Sequence, residues 1–64
     1  MTEKELLYVD DAVSHEKSII NILEGSIKSL ENEDLVSFME NEKDIHISTL
    51  DKLMSTLKEE ANEW

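Results

Sequence analysis

Two glutamates and a histidine stand where the pattern of the chain favours apolar residues. Glu16 and His46 each interrupt a row of apolar side chains, and Glu42 precedes His46 by four residues. A carboxylate and an imidazole at i, i+4 on one helix have converging tips and can share a metal ion. Glu16 would add a third ligand if the two segments face each other, and His15 lies beside it in sequence. Glu16, Glu42 and His46 are therefore candidate ligands for iron or zinc.

Two other interpretations of these residues stay open. Glu16 and His46 can form a hydrogen-bonded pair that fixes the register of two helices, as single polar residues do in coiled coils. Alternatively, Glu16 reaches the edge of the helix pair and stays hydrated. Neither interpretation involves catalysis. Because the chain has no Cys and no Gly-rich phosphate loop, it offers no cysteine nucleophile or nucleotide site. The sequence thus predicts a protein without catalytic residues and without an organic cofactor.

The rows that contain these residues have the spacing of amphipathic helices. Apolar side chains recur at alternating steps of three and four residues in both halves of the chain. Thr2 and Glu5 form a capping-box motif at the start of the first row. The pattern predicts a helix over residues 3–31, a loop at 32–34 in which Asp34 caps the next helix, and a second helix over 35–61.

Two arms of nearly equal length with a short loop between them predict an antiparallel hairpin. Residues 1–64 then form one all-α domain, in which residue n lies roughly level with residue 65 − n. The chain has no Pro and a single Gly, which argues against a sheet with tight turns. In this register His46 lies about one helical turn from Glu16, so the two side chains can meet.

The predicted apolar surface is wider than one hairpin can bury. A chain of 64 residues buries only about 60% of its unfolded surface, and without Cys no disulfide can support it. Pairing of two hairpins into a homodimeric four-helix bundle would cover the remaining apolar side chains. The predicted core and dimer-interface residues are Val13, Ile19, Ile20, Leu23, Ile27, Phe38, Met39, Leu50, Leu53 and Leu57.

The charge of the chain excludes several partners. Sixteen acidic residues against six basic ones give a formal net charge of −10. Phosphate contacts to nucleic acid and binding to anionic membranes both need a basic surface, so neither partner is expected. No apolar run is long enough for a signal peptide or a membrane span. We expect a soluble, cytoplasmic protein whose partner is a second copy of the chain.

The expectation of spore association comes from a resemblance. The run Glu5–Lys17, which reads ELLYVDDAVSHEK, resembles the start of short spore-coat-like proteins of the coat-F type from endospore-forming Firmicutes. Leu35, Phe38 and His46 are similar to the later part of their pattern, and the resemblance spans about residues 5–57 without a gap. It implies a helical hairpin and a sporulation context, and it implies no known catalysis. The resemblance thus adds the expectation that the protein is cytoplasmic or spore-associated, with a spore-coat protein as a further partner.

The coat-F type is in turn distantly similar to the ferritin-like superfamily. That resemblance implies a di-iron site with a Glu from one helix and Glu-x-x-His from the next, and Glu16 and His46 fit two of these roles. Position 43, where the second Glu would stand, holds Lys43, and Glu42 is displaced by one residue. The resulting prediction is a non-enzymatic, self-associating structural protein. The alternative is a ferritin-like bundle, formed across a homodimer, that binds, oxidises or stores iron.

Overall fold

The chain folds into two antiparallel helices. In the computed structural model, α1 spans Glu3–Ser29 and α2 spans Glu33–Glu63, and the two helices pack against each other. The structure describes residues 1–63, and the side chains of residues 1–60. No strand occurs within residues 1–63. The all-α hairpin predicted from the spacing of apolar residues is therefore confirmed.

Helix α1 begins with the capping box predicted from Thr2 and Glu5. The backbone amide of Glu5 donates to Thr2 Oγ1 at 3.1 Å, and the Thr2 amide donates to Glu5 Oε1 at 2.8 Å. These bonds satisfy two amides that have no partner within the helix. Glu3 and Glu5 also place negative charge in the first turn, where the helix dipole favours it.

Helix α1 ends two residues earlier than expected. Leu30 leaves the helix with an extended backbone, φ −86° and ψ 138°, while its amide still donates to the Ser26 carbonyl at 3.1 Å. No residue of the described chain has a positive φ, so the chain reverses without a left-handed residue. The linker consists of residues 30–32 instead of 32–34.

The linker lies two residues earlier than expected because Asn32 caps α2. The Asn32 Oδ1 atom accepts a hydrogen bond from the Leu35 amide at 3.1 Å, which is the geometry of a helix cap. The expectation that Asp34 caps α2 was wrong, because Asn32 already fills that role two residues before it. Asp34 instead lies in the first turn of α2, together with Glu33. Both carboxylates suit the positive end of the helix dipole there.

The seam between the helices buries few residues completely. Val13 and Ile20 of α1 are buried, with 6% and 9% of their surface exposed. Most of the other predicted core residues are partly buried, namely Ile19, Leu23, Ile27, Met39, Leu50, Leu53 and Leu57. Phe38 differs from them, since it is 59% exposed. It lies two rows away from the seam, where α1 does not reach it.

The hairpin is a rod two helices wide. Its extents are 48 × 15 × 12 Å, and its radius of gyration is 14.8 Å, whereas a compact chain of this length would have about 11 Å. The chain exposes 4993 Å². A folded monomer of 7.4 kDa exposes about 4,200 Å². The hairpin thus has an excess of about 800 Å² of accessible surface. Within residues 1–63, neither helix has an apolar stretch that could cross a membrane.

Replacing Gly25 with Ala should stabilise the hairpin. Gly25 is an exposed residue inside α1, and a Cβ atom added to it would meet nothing within 4 Å. Because glycine is a poorer helix former than alanine, Gly25→Ala should raise the free energy of unfolding by about 0.5–1 kcal/mol. Chemical denaturation followed by circular dichroism measures this change. An unchanged or lower stability would contradict the exposed helical position of Gly25.

Acidification should weaken the start of α1 through Glu5. The pKa of the Glu5 carboxyl lies below its ordinary value of 4.5. The main cause is the hydrogen bond from the Thr2 backbone, and a hydrogen bond with the Thr2 side chain adds to it. A group with a lowered pKa adds stability above its unfolded pKa and loses it as the pH falls through the folded value. The difference in melting temperature between the wild type and Glu5→Gln should therefore shrink from about pH 6 to pH 3. A constant difference across this range would refute the linkage.

Candidate functional site

Glu16 and His46 meet across the seam. His46 Nδ1 lies 2.5 Å from Glu16 Oε2, and the two side chains are 27% and 16% exposed. An ionised carboxylate can only accept, so with Glu16 in that form Nδ1 is the donor of this hydrogen bond. This bond fixes the orientation of the imidazole ring and leaves Nε2 for another partner. The predicted meeting of these two residues is present in the single chain.

The pair also defines the register of the hairpin. The two residue numbers add to 62, so residue n lies level with about residue 62 − n. The expected value was 65 − n, and the difference reflects the earlier linker at residues 30–32. On α1, one turn to either side of Glu16, the buried side chains of Val13 and Ile20 flank it along the seam. The pair is therefore a polar layer between apolar layers.

The other two candidate residues do not join this pair. Glu42 is partly buried, and His15 is exposed. Among the described residues, no three His, Cys, Asp or Glu side chains come together in a way that could hold a metal ion. Glu42 lies in the row next to the seam, so it faces past α1 instead of across to it. Within one hairpin, the structure brings together Glu16 and His46 and leaves Glu42 apart.

Lys43 occupies a seam position but does not enter the Glu16–His46 layer. Its Nζ atom lies 4.0 Å from Glu24 Oε1, and the two side chains are 31% and 48% exposed. A pair this exposed adds little to stability. The pair shows where the Lys43 side chain points: it extends toward Glu24 and not toward the Glu16–His46 layer. Sequence reasoning missed this ion pair, although a lysine in a seam position signals that its ammonium must reach a partner or water.

Six apolar residues are distributed along the other side of the seam, where Lys4 Nζ also lies 5.9 Å from the centroid of the Tyr8 ring. Three of them, Tyr8, Ile19 and Ile22, lie on α1 in the two rows beside the row of Glu16. The other three lie on α2 in the corresponding rows, which face the same side because the helices are antiparallel. We call this surface the apolar face and define it by Tyr8, Ile19, Ile22, Leu35, Phe38 and Ile45. Most of it is open to solvent, since Tyr8, Ile22 and Phe38 are 62%, 67% and 59% exposed. Glu42 lies within this face, and the Glu16–His46 layer borders it.

The opposite side of the hairpin carries a shallow groove near the chain termini. It has a volume of about 650 Å³ and is lined by Glu3, Leu6, Leu7, Asp10 and Leu57. Its polar lining consists of the carboxylates of Glu3 and Asp10, and both residues are exposed. Sequence reasoning did not identify this groove. Its only signal was the adjacent pair Leu6 and Leu7, of which Leu7 is 61% exposed.

Comparison with known proteins gives no relative of this chain: no protein-family model, curated protein or solved structure matches it.

Truncation of either member of the Glu16–His46 pair should destabilise the hairpin. Glu16→Ala or His46→Ala would leave the remaining polar group without its partner in a mostly covered seam, at a cost of about 1–2 kcal/mol. The double variant removes both groups and should lose less than the sum of the two single losses. Urea denaturation of the four proteins forms a double-mutant cycle. Additive losses would show that the two side chains do not interact in solution.

Proposed function

We propose that the protein is a non-enzymatic helical hairpin that self-associates into a homodimeric four-helix bundle. The observation that supports this proposal is the exposure of the apolar face. Six large apolar side chains lie on one side of the rod, and five of them are at least 47% exposed. Contiguous exposed apolar surface on a small protein marks an interaction site.

The area of exposed surface fits a second copy of the chain. The hairpin has an excess of about 800 Å² over a compact monomer of its mass. A standard protein interface buries about 800 Å² on each partner. A second hairpin laid face to face presents an apolar surface of the same length and width. It would also convert two narrow seams into one four-helix core.

The driving force of this association is apolar burial and not charge attraction. Each copy has a formal net charge of −10, so two copies repel each other at long range. Covering a large apolar side chain contributes about 1.5–3 kcal/mol when its burial is complete. Several such side chains on each copy can exceed both the repulsion and the entropy lost on association. Added salt should therefore strengthen the dimer by screening its like charges.

The resemblance to coat-F-type proteins supports a structural role in the spore. A rigid rod that pairs through one face and carries acidic residues on its other faces suits a building unit of a protein layer. A spore-coat protein would then be a further partner of the assembled form.

Charge placed on the apolar face should dissociate the dimer. Phe38→Asp buries a carboxylate at the centre of the proposed interface, and it should weaken dimerisation by at least about tenfold. Asn41→Asp is the matched control, because it adds the same charge to an exposed residue of the same helix outside the face. Sedimentation equilibrium at micromolar concentration measures both constants. A wild-type chain that is folded and monomeric throughout would refute the proposal.

A metal-binding bundle is the second candidate function, and the Glu16–His46 contact favours it. Two of the three candidate ligands meet in each hairpin, next to the face that a second copy would cover. A dimer would contribute four carboxylates and two imidazoles, the donor set that iron and zinc accept in helical bundles. A bound metal would supply redox or Lewis-acid chemistry, while Glu16 would orient His46. Lys43 stands where the ferritin-like pattern has a Glu, and it contacts Glu24 instead.

Metal titration separates the two functions. Under the second candidate, Zn²⁺ or Fe²⁺ at 100 times its dissociation constant should stabilise the protein by about 2.7 kcal/mol. The combined variant Glu16→Ala with His46→Ala should abolish this effect. Differential scanning calorimetry with metal and with chelator makes the comparison. Equal melting temperatures in both conditions would remove metal binding and leave the structural role.

A further inference from the structure

Glu42 is the acidic residue that lies within the apolar face. It is partly buried and occupies the row of α2 that also holds Leu35, between the exposed side chains of Phe38 and Ile45. No hydrogen bond or ion pair involves its carboxylate among the residues that the structure describes. In the free hairpin, water can reach the carboxylate from the open side of the face. A second copy on this face would remove that water.

The two nearest basic side chains have contacts elsewhere. The Nδ1 atom of His46, one turn further along α2, is hydrogen-bonded to Glu16. Lys43, the next residue in sequence, extends to Glu24 on the opposite side of the seam. In the free hairpin, neither side chain contacts Glu42. Among the described residues, Glu42 therefore has no cationic partner before the face is covered.

We infer that Glu42 limits the self-association of the hairpin, as a charge placed within its own interface. The inference rests on the proposed self-association and concerns the strength of that contact. Burial of an unpaired carboxylate opposes association, and a two-fold dimer contains two of them. The apolar face drives pairing while Glu42 keeps it weak and reversible. In the free hairpin the Glu42 carboxylate stays hydrated, and this hydration opposes irreversible pairing.

This role is opposite to that of a metal ligand. A ligating Glu42 would strengthen the assembly in the presence of metal, and its removal would weaken it. A limiting Glu42 weakens the assembly without metal, and its removal strengthens it. The same substitution therefore distinguishes the two roles by the sign of its effect.

The test compares Glu42→Gln with Glu40→Gln. Both substitutions remove one negative charge from α2 and keep the side-chain size, but Glu40 is exposed and lies outside the apolar face. Sedimentation equilibrium in the presence of a chelator gives the dissociation constant of the wild type and of each variant. Glu42→Gln should tighten the dimer by about ten- to hundredfold, because two desolvated charges are removed. Glu40→Gln should change it by less than about threefold, since it only reduces the net charge.

Each result decides the inference. A dimer that forms more tightly with Glu42→Gln than with the wild type or Glu40→Gln supports it. If only Glu42→Gln dimerises, the limiting effect of Glu42 stands and the proposed self-association of the wild type fails. A wild-type dimer that Glu42→Gln leaves unchanged or weakens overturns it, while the proposed self-association stands. If all three proteins stay monomeric, both the inference and the proposed function fail. Added Zn²⁺ that tightens the wild type but not Glu42→Gln would identify Glu42 as a ligand and overturn the limiting role.

Discussion

Two helices packed side by side share one seam, and this geometry limits how much apolar surface the chain can bury. Among the described side chains, only Val13 and Ile20 are buried in the seam. Every apolar side chain one or two rows from the seam stays at least partly in water, because no third element covers it. A chain without Cys has no disulfide to compensate for so small a core. The exposed apolar face follows directly from this shortage, and so does the proposal of a second copy.

The contacts of each polar residue depend on the helical row that it occupies. Glu16 and His46 occupy the seam itself, so each finds the other and forms a polar layer that fits only one register. Glu42 stands one row away, and within the described part of the chain its carboxylate has no hydrogen bond or ion pair. Lys43 is adjacent to Glu42 in sequence but extends to the other side of the seam. A rotation of about 100° between consecutive residues of a helix is the reason for this separation.

Charge and apolar burial act in opposite directions in this protein. The net charge of −10 keeps copies apart at long range, whereas the apolar face favours contact at short range. The stability of the proposed dimer would depend on the balance between charge repulsion and apolar burial. It would also depend on the carboxylate of Glu42, which lies within the apolar face. Such a balance makes assembly sensitive to ionic strength and to any group that neutralises the face.

The sequence by itself determined the fold class and most of the hairpin, because apolar periodicity and the Thr2–Glu5 motif are local signals. It also indicated that Glu16 and His46 could meet, since both interrupt seam rows near the same level. The linker was less predictable, because Asn32 and Asp34 are both good caps and the sequence does not say which of them begins α2; in the structure it is Asn32. The tertiary structure alone decided that Glu42 stays apart, that Lys43 contacts Glu24, and which apolar residues share an exposed face. These facts depend on how two helices are rotated against each other, which spacing along one helix does not specify.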